Sequence, residues 1–380
     1  MRVAIIGAGI GGLALARALV SQGHDIRVYE RHPSLRLGGA AITLWSNGTS
    51  VLHALGIDLS GAGQVVETLE HRAPSGTVRT RIRANDLERR FGAATITLPR
   101  SELITRLAAA LPPSTIGFGH DLTDLAHDGT EAELQFGSGH HETADLVVGA
   151  DGARSTVARL LNIQPSLVHS GWTSWQVLDH TPVPSVDPSV AALVVGREGA
   201  IGIMPAGNRR CLWWYDLRHP LHAHDAQSVL VELHRRFATW AFPVPELLAH
   251  TTAENIEPYP HMRRYIQTPW GRGPITLIGD AAHVMPPSLG QGANQTLQDA
   301  HALATALNTP RRDLVNVLRD HERGRRAHTR MIARIADSEL TLSAHTGALT
   351  RVMSDNATTR AHARLLAASS PTLHKRKAPR

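Results

Sequence analysis

The stretch Arg2-Val-Ala-Ile-Ile-Gly7-Ala-Gly9-Ile-Gly-Gly12-Leu-Ala-Leu-Ala-Arg-Ala-Leu-Val20 opens the chain and decides its fold. Residues 2–6 are a β-rich apolar run, and residues 13–20 have the spacing and composition of a helix. The glycines between them follow Gly-x-Gly-x-x-Gly, in which Gly7 permits a tight turn, Gly9 a close approach of a pyrophosphate and Gly12 close helix–strand packing. The stretch predicts a dinucleotide-binding strand, turn and helix.

A second predicted strand, residues 25–30, ends in an acid about twenty residues after the glycines, where such units hold a ribose hydroxyl. That acid is Glu30. The glycines taken alone could serve packing only, but the strand, the helix and the terminal acid together favour a bound dinucleotide.

The other end of the chain carries a second glycine-rich stretch, Gly279-Asp-Ala-Ala-His-Val-Met-Pro-Pro-Ser-Leu-Gly-Gln-Gly-Ala-Asn294. It follows a predicted buried strand, residues 275–278, and precedes a predicted helix, residues 295–307. A helix N-terminus carries unpaired N–H groups and partial positive charge, so it can hold negative charge on a ligand. His283, inside this stretch, is expected to be structural.

Between these stretches the pattern alternates strands and helices. Residues 65–98 read as strands and turns with a basic excursion at 79–90, and a helix follows with Ser101 as its expected cap. Strands are expected at 116–125, 132–136 and 144–149, the last ending in Asp151-Gly152 before a helix at 153–161. Residues 171–264 are short, tryptophan-rich strands with an inserted helix at 227–240. Further helices are expected at 311–337 and 338–354, before a polar, basic tail.

Composition excludes several classes of protein. The 380 residues suffice for two domains or for one large α/β unit, and 42% hydrophobic with 19% charged residues is an ordinary soluble composition. No signal peptide or membrane span is expected, and a cytoplasmic location is the default. The net charge of +6 comes from arginines scattered among acids, so nucleic-acid binding is not expected. Cys211 is expected to be a buried hydrophobe, and the dispersed histidines, including His219, His222 and His224, predict no metal site.

The ordered set of Gly7-x-Gly-x-x-Gly12 with Glu30, Asp151-Gly152 and Gly279-Asp280 with its glycine-rich tail resembles the single-component FAD-dependent aromatic hydroxylases. The segment 39–48 is most similar to their compact branch, which includes urate, 3-hydroxybenzoate and tetracycline monooxygenases. The resemblance covers the chain except its last 40 or so residues. It implies an α/β fold: a Rossmann-like FAD-binding layer formed by 1–70, 95–165 and 265–335, an inserted antiparallel β-sheet substrate domain formed by 71–94 and 166–264, and C-terminal helices with a basic tail at 336–380.

The resemblance also implies site residues. Two groups would bind FAD: the phosphate and adenosine side, where the backbone of Leu122 would meet adenine, and the ribityl and flavin side. In chain order these are Gly7, Gly9, Gly12, Glu30, Arg31, Thr43, Arg100, Leu122, Asp151, Asp280, Gly290, Gln291, Gly292, Ala293 and Asn294. For Arg31, Thr43, Arg100 and Leu122, a surface or packing role is an open alternative.

One position departs from the family pattern. After Asp151-Gly152 the family has an arginine that is linked to FAD and NAD(P)H handling, and here that position is Ala158, with Arg159 beside it. Adjacent helical residues point about 100° apart, so Arg159 is not expected to replace that arginine. The choice between NADH and NADPH, which would dock transiently, and the efficiency of flavin reduction are therefore open.

The implied activity is a monooxygenase. NAD(P)H would reduce the flavin, O2 would form a C4a-hydroperoxide, and one oxygen would hydroxylate or epoxidise a small molecule. Candidate pocket residues are Met204 and the face that Leu212, Trp214 and Asp216 share at period two, with Trp172 or Trp175 as additions; sheet core is the alternative. The resemblance places the urate enzymes' polar substrate contacts at Ala200 and Leu212, both apolar, which favours an apolar aromatic or polyketide-like substrate.

Other functions stay open from sequence. A flavoprotein reductase or dehydrogenase would bind FAD without inserting oxygen, and a silent protein would hold FAD or an intermediate. A flavin-dependent halogenase is disfavoured because Trp172-Thr-Ser-Trp175 lacks that class's spacing and no lysine precedes Lys375. No substrate-deprotonating residue is assigned, and either a monomer or a homodimer is compatible with the sequence.

Overall fold

A computed structural model describes residues 1–163, 166–180, 187–218, 225–264, 269–309, 313–342 and 353–373. Strands in this part of the chain are β1 (Arg2–Ile6), β2 (Asp25–Glu30), β3 (Ala41–Leu44), β4 (Gln64–Val65), β5 (Thr68–Arg72), β6 (Val78–Arg83), β7 (Ile96–Pro99), β8 (Ile116–Phe118), β9 (Leu122–His127), β10 (Ala132–Phe136), β11 (His141–Ala144), β12 (Leu146–Gly149), β13 (Val168–Asp179), β14 (Val190–Val195), β15 (Ala200–Gly207), β16 (Arg210–Arg218), β17 (Glu257–Arg263) and β18 (Ile275–Leu277).

The helices are α1 (Ile10–Val20), α2 (Ser46–Ala54), α3 (Ala84–Phe91), α4 (Arg100–Ala109), α5 (Thr156–Leu160), α6 (Ala226–Phe237), α7 (Val244–Ala249), α8 (Gly292–Leu307), α9 (Leu314–Leu342) and α10 (Asp355–Ala368). Single 3-10 turns cover Gly279–Ala281 and Pro287–Leu289. Among the described residues, no helix is both long and apolar enough to cross a membrane.

The predicted N-terminal unit lies at the centre of a five-stranded parallel sheet ordered β18-β12-β1-β2-β8. Val3 pairs with Ile26 on one side and Leu146 on the other. Residues 3–6 are buried because helices and the small β9–β11 sheet cover both faces, as is usual for parallel strands. Helices α1 and α8 pack together through their leucines and alanines. This arrangement brings the ends of β1, β12 and β18 to one edge of the sheet.

A seven-stranded sheet, ordered β17-β13-β16-β15-β14-β5-β6, forms the second layer. Its neighbours are antiparallel except for β14 and β5. One face packs on α6 and α7 through Trp213, Tyr215 and Phe237. The opposite face, which carries Met204 and Leu212, packs against Trp45 and α10. The sheet therefore packs on α6 and α7 on one side and on Trp45 and α10 on the other.

Two three-stranded antiparallel sheets also lie in the described part of the chain. The β11-β10-β9 sheet packs on the parallel sheet through Leu134 and Phe136. The β3-β7-β4 sheet lies between the two layers, where Gly207 of β15 approaches the backbone of Gly63 so closely that a Cβ on Gly207 would lie 2.5 Å from a Gly63 backbone atom. The strands of the large sheet come from residues 68–83 and 168–263, and the division into domains stays a prediction.

Several local predictions need correction. The helix near residue 100 begins at Arg100 with Pro99 at its N-cap, so Ser101 lies inside the first turn and does not cap it. The basic excursion contains a helix, α3, whose Leu87 and Phe91 are buried while its arginines face outward. The predicted strand at 116–125 is two strands in different sheets. Helix α9 continues to Leu342, and residues 343–352 of the expected helix at 338–354, like His219, His222, His224 and Lys375, lie outside the described residues.

Packing on α6 gives a stability prediction. Phe237 is fully buried between Tyr215 and Trp240, so Phe237→Ala should leave a cavity and lower the free energy of unfolding by about 3–5 kcal/mol. Val231, on the same helix, is 66% exposed, so Val231→Ala should change it by less than about 0.5 kcal/mol. Urea unfolding followed by tryptophan fluorescence measures both variants. Equal losses would contradict this account of the sheet's anchored face.

Candidate functional site

The first glycine-rich loop is shaped by close packing at two glycines and by open space at the third. Gly7 has a φ of +108°, and a Cβ there would lie 2.6 Å from the Ala150 carbonyl oxygen. A Cβ on Gly12 would lie 2.0 Å from the Gly7 carbonyl oxygen. Around Gly9, by contrast, no atom lies within 4 Å of an added Cβ. Gly9 is therefore not required by internal packing, and the N-terminus of α1 is open to a ligand at this point.

The carboxylate of Glu30 lies against this loop. Its Oε2 accepts a hydrogen bond from the Ala8 N–H at 3.0 Å, and its Oε1 accepts one from the His32 N–H at 3.0 Å. Each oxygen keeps a second lone pair, so the carboxylate can still accept from a ligand hydroxyl. Arg31 beside it is exposed. The buried Leu122 begins β9 two residues after His120, whose N–H donates to the Glu30 carbonyl, so it lies at the same end of the site.

The Asp151-Gly152 turn is held mainly by its own helix. Asp151 Oδ2 accepts from the N–H groups of Thr156 at 2.7 Å and Val157 at 3.1 Å, while Oδ1 has no partner among the described residues. Burial raises the pKa of Asp151. Ala158 is fully buried and Arg159 is exposed, so these two neighbours face different directions and Arg159 does not occupy the position of Ala158.

Asp280 follows β18 at the same edge of the sheet. It is exposed, yet burial by the surrounding protein raises its pKa, and His283, Arg264 and Arg100 oppose that rise. Solvent access together with a desolvated carboxyl is expected on the wall of a cavity that is open to water. Among the described residues, none donates a hydrogen bond to its carboxylate. Asp280 is therefore available to a ligand.

The start of α8 combines free backbone donors with committed side chains. Gly290 has a φ of +60°, and Gly292 begins the helix, with open space where its Cβ would be. Asn294 is buried, accepts from the Trp45 N–H at 3.0 Å and donates to the carbonyl oxygens of Thr43 at 3.1 Å and Gly290 at 2.7 Å. The side chain of Asn294 is therefore committed to hydrogen bonds inside the protein.

The side chains of Gln291 and Thr43 are also used inside the protein. Gln291 Oε1 accepts from Asn47 and Gln295, each at 3.0 Å. Thr43 Oγ1 lies 3.0 Å from Thr97 Oγ1. The backbone N–H groups at the helix start, including that of Ala293, remain as donors because helices leave their first turn unpaired. Gln291 Nε2 also has no partner among the described residues. This is the arrangement that stabilises negative charge on a ligand.

Two residues near Asp280 were not found by sequence analysis. Arg264 is buried and donates through Nη2 to the Ala153 carbonyl, but its Nε and Nη1 have no partner among the described residues. Its charge acts on both Asp280 and Asp151. Tyr259 is 48% exposed and interacts electrostatically with Asp280 and Arg100. Both lie on or just after β17, an irregular edge strand without a recognisable motif, so no sequence signal pointed to them.

Arg100 completes this group of polar side chains. Its Nη1 donates to the carbonyl oxygens of Arg36 and Gly38, each at 3.0 Å, and burial with the nearby charge of Arg36 lowers its pKa. The guanidinium is therefore fixed by the backbone of the segment that follows β2. Arg100 and Arg264, from two different elements, therefore both act electrostatically on the Asp280 carboxylate.

A buried ionic network holds the second glycine-rich stretch in place. Asp299 on α8 accepts from the Gly279 N–H at 2.8 Å and from Arg325 Nε at 2.6 Å, and it contacts His283 Nε2 at 2.5 Å. Burial alone would raise the pKa of Asp299, but its interactions with His283 and Arg325 hold it below its usual range. His283 is thus bound to a structural carboxylate, as expected. Asp299 and Arg325 carry no motif and were missed.

The large sheet presents a mainly apolar face with a defined register. Gly202 pairs with Trp214, and a Cβ on Gly202 would lie 2.0 Å from the indole, so the ring lies directly over that glycine. Met204 pairs with Leu212 on the same face, and Ala200 pairs with Asp216. Trp172 shares this face by strand alternation, because Ser174 of β13 pairs with Asp216.

Trp175 does not belong to this face. It pairs with Tyr215 and is buried in the core formed with α6 and α7. The prediction that Trp175 lines the pocket is therefore wrong, because Trp175 is next to Ser174 in the strand and successive strand residues point to opposite faces. Within the described residues, no group of three or more histidine, cysteine or acidic side chains could hold a metal ion.

The buried network gives a pH-dependent prediction. Asp299→Ala leaves Arg325 buried without its carboxylate, so the free energy of unfolding at neutral pH should fall by about 3–5 kcal/mol. Because the folded pKa of Asp299 is depressed, its contribution is present above about pH 4 and is lost as the pH falls toward the folded pKa. The difference in free energy of unfolding between wild type and Asp299→Ala should therefore become smaller at acidic pH. Urea unfolding at several pH values measures it.

The control for this variant is Asp320→Ala on α9. Asp320 forms an exposed ion pair with Arg323, which should contribute only about 0–1 kcal/mol. A loss for Asp299→Ala no larger than that for Asp320→Ala, or a gap independent of pH, would contradict the assigned role of the network.

Comparison with known proteins identifies the family. A model described as FAD binding domain matches residues 1–334. The aurachin C monooxygenase/isomerase of Stigmatella aurantiaca is 31% identical over 311 residues, covering 81% of each chain. An FAD-dependent urate hydroxylase of Klebsiella pneumoniae is 30% identical over 340 residues, covering 85% of each chain. The crystal structure of Klebsiella pneumoniae HpxO with FAD and uric acid has a TM-score of 0.90 and 26% identity, covering 98% of this chain and 97% of HpxO. The chain therefore belongs to the FAD-binding-domain family, within the single-component FAD-dependent aromatic hydroxylases.

Proposed function

We propose that this enzyme uses NAD(P)H and O2 to hydroxylate a small aromatic compound held between its FAD and the large sheet. The observation that carries the proposal is the placement of one open polar region, with Asp280 at its wall, beside the apolar face of Met204, Leu212 and Trp214. Trp45 joins the two, because it packs in the cluster of that face and its Nε1 lies 3.3 Å from where a Cβ of Gly290 would be.

The residues at the open region fit FAD. Open space at Gly9 and the N-terminus of α1 would receive the pyrophosphate, and Glu30 would accept from the adenosine ribose. Asp280, which has no protein donor among the described residues, would accept from the ribityl hydroxyls. The start of α8 would face the flavin ring and stabilise negative charge there. When bound, FAD would supply the redox chemistry of hydride uptake from NAD(P)H and oxygen transfer to the substrate.

Arg264 places a positive charge near the proposed cofactor site. The buried Ala158 leaves the loop after Asp151 without an arginine from α5. Arg264 brings a guanidinium to the same loop from the end of β17, anchored on the Ala153 carbonyl and with two nitrogens unpaired by described residues. We propose that Arg264 takes over the electrostatic role of the missing side chain toward the cofactor or the nicotinamide.

The apolar face supports an aromatic substrate. Trp214, which is only partly buried, offers flat apolar surface, and the buried Leu212 and Trp45 pack in the same cluster behind it. Relatives are named for urate, for 6-hydroxynicotinate and for 3-amino-4-hydroxybenzoate, which are aromatic or heteroaromatic compounds. A protein environment of this kind would also exclude water from the reacting centre.

A turnover assay tests the proposed function. Purified protein should carry bound flavin, and a panel of phenols, indoles and polyketide-like aromatics should include compounds that accelerate NADH or NADPH oxidation. Those compounds should gain one oxygen atom by mass spectrometry. Oxidation that yields only hydrogen peroxide with every compound, or no stimulation at all, would contradict the hydroxylase assignment in favour of a reductase or a silent binding protein.

The three glycines of the first loop allow a matched test of the cofactor site. Gly9→Ala should fold normally, since no atom lies within 4 Å of the added Cβ, yet it should weaken FAD binding by at least about tenfold because the methyl group occupies ligand space. Gly12→Ala should instead lower stability, because its Cβ would meet the Gly7 carbonyl oxygen at 2.0 Å. Titration of the FAD-free protein by flavin fluorescence, together with urea unfolding, separates the two effects. Unchanged FAD affinity in Gly9→Ala would refute the assigned pyrophosphate position.

A further inference from the structure

A polar cluster interrupts the apolar face of the large sheet. Asp216 on β16 accepts from Ser174 Oγ at 2.5 Å and from Trp214 Nε1 at 3.0 Å. Ser174 Oγ also lies 2.6 Å from Nε2 of His261, which is 3.6 Å from the Asp216 carboxylate. The cluster thus joins three neighbouring strands, β16, β13 and β17, by short polar contacts in the interior.

The protons of this cluster can be assigned by counting donors. The Ser174 hydroxyl has one hydrogen, which it gives to the Asp216 carboxylate, so it must accept from a His261 Nε2–H. Burial and the nearby His169 lower the pKa of His261 to about 3, so the imidazole is neutral. No lysine or arginine among the described residues forms an ion pair with Asp216. When ionised, the Asp216 carboxylate therefore receives two neutral donors and has no ion-pair partner among the described lysines and arginines.

Asp216 remains reachable from the open space beside the sheet. Its side chain is 17% exposed, whereas that of His261 is 1% exposed. The residue that pairs with Asp216 on the neighbouring strand β15 is Ala200, whose methyl group is too short to cover a carboxylate. Tyr259, in the same row across β13, interacts with Asp280 and Arg100 and so extends this row toward the polar region of the proposed cofactor site. Asp216 is thus a hydrogen-bond acceptor that Ser174 and Trp214 fix in place and that stays partly exposed on a mainly apolar face.

We propose that Asp216, fixed by Ser174 and Trp214, recognises the substrate by accepting a hydrogen bond from a hydroxyl or ring N–H on the aromatic compound. This inference rests on the proposed function and narrows its substrate class. A carboxylate without an ion-pair partner forms a charge-assisted hydrogen bond with a ligand donor and repels a second carboxylate. Phenols and N–H heteroaromatics should therefore bind in preference to aromatic acids of similar size.

Binding measurements on FAD-loaded protein without NAD(P)H test this directly. The probes are 4-methylphenol and indole as donors, toluene without a donor, and benzoate as an acid. Asp216→Asn removes the charge at nearly constant shape, so it should weaken binding of both donor probes by about tenfold or more, leave toluene unchanged and improve benzoate binding. Tryptophan fluorescence and the visible spectrum of the oxidised flavin report binding.

The matched control is Glu257→Gln, which removes an exposed carboxylate from β17 of the same sheet. It should leave all four affinities unchanged. Thermal unfolding of each variant shows whether the sheet is intact. If Asp216→Asn does not fold, Ser174→Ala provides the test: it removes the hydrogen bond that fixes the carboxylate, so it should weaken binding of both donor probes and leave toluene unchanged, and unchanged affinity for both donor probes would overturn the proposal.

The pH dependence gives an independent readout. Burial raises the pKa of Asp216 to about 6, while Ser174 and Trp214 oppose the rise. Affinity for 4-methylphenol should therefore fall as the pH is lowered through about 6, where the acceptor becomes protonated, and should be flat in Asp216→Asn. The titratable or charged groups that face Asp216 are His261 and Tyr259 on β17, His169 on β13 and Arg218 on its own strand.

The outcomes separate this inference from the proposed function. Bound flavin and substrate-stimulated oxidation with unchanged donor affinity in Asp216→Asn would overturn the role of Asp216 and leave the hydroxylase intact. Tighter binding of benzoate than of 4-methylphenol by wild type would also overturn it. Absence of bound flavin or of any stimulated oxidation would instead contradict the proposed function itself.

Discussion

The buried contact of Asp299 with the Gly279 N–H, His283 and Arg325 is the constraint on which the nucleotide-binding layer depends. It ties the turn after β18 to α8 and α9, three segments that are distant in sequence. Removing a carboxylate and a guanidinium from water is costly, and only close mutual contact with additional hydrogen bonds offsets the cost. The same contact fixes the residue that follows Gly279, so Asp280 faces the open region with its carboxylate free of described protein donors.

The large sheet depends on a different constraint, the alternation of side chains along its strands. Trp213 and Tyr215 fill the core beneath α6 and α7, whereas Trp214 and Asp216 face the opposite layer. Gly202 gives the Trp214 indole room to lie on the sheet. One face is therefore packed mainly with buried apolar and aromatic side chains. The other carries a small set of oriented polar groups within apolar surroundings, which is typical of ligand pockets.

Short stretches of sequence predict the strands and helices that form from neighbouring residues. The strands at Arg2–Ile6 and Asp25–Glu30 agree with prediction, as does the helix between them, which begins three residues earlier than predicted. Helix boundaries follow less directly from the sequence. The N-cap of α4 is Pro99 and not Ser101, because the strand β7 runs directly into the helix. Trp175 was assigned to the pocket from its residue type alone. Its face is set by pairing with Tyr215, and that register becomes visible only when the strands are aligned.

The sequence by itself determined the family and the kind of ligand, because glycines at turns, an acid at a strand end and a glycine-framed helix start act through the backbone within a few residues. It also determined which residues of β16 share a face. Only the tertiary structure decided which polar groups meet. Arg264, Tyr259 and Asp299 lie far from the motifs in sequence, and their roles arise from burial and from the charges that folding brings near them. Asp216 gains its partners in the same way, since Ser174 and His261 reach it from separate strands.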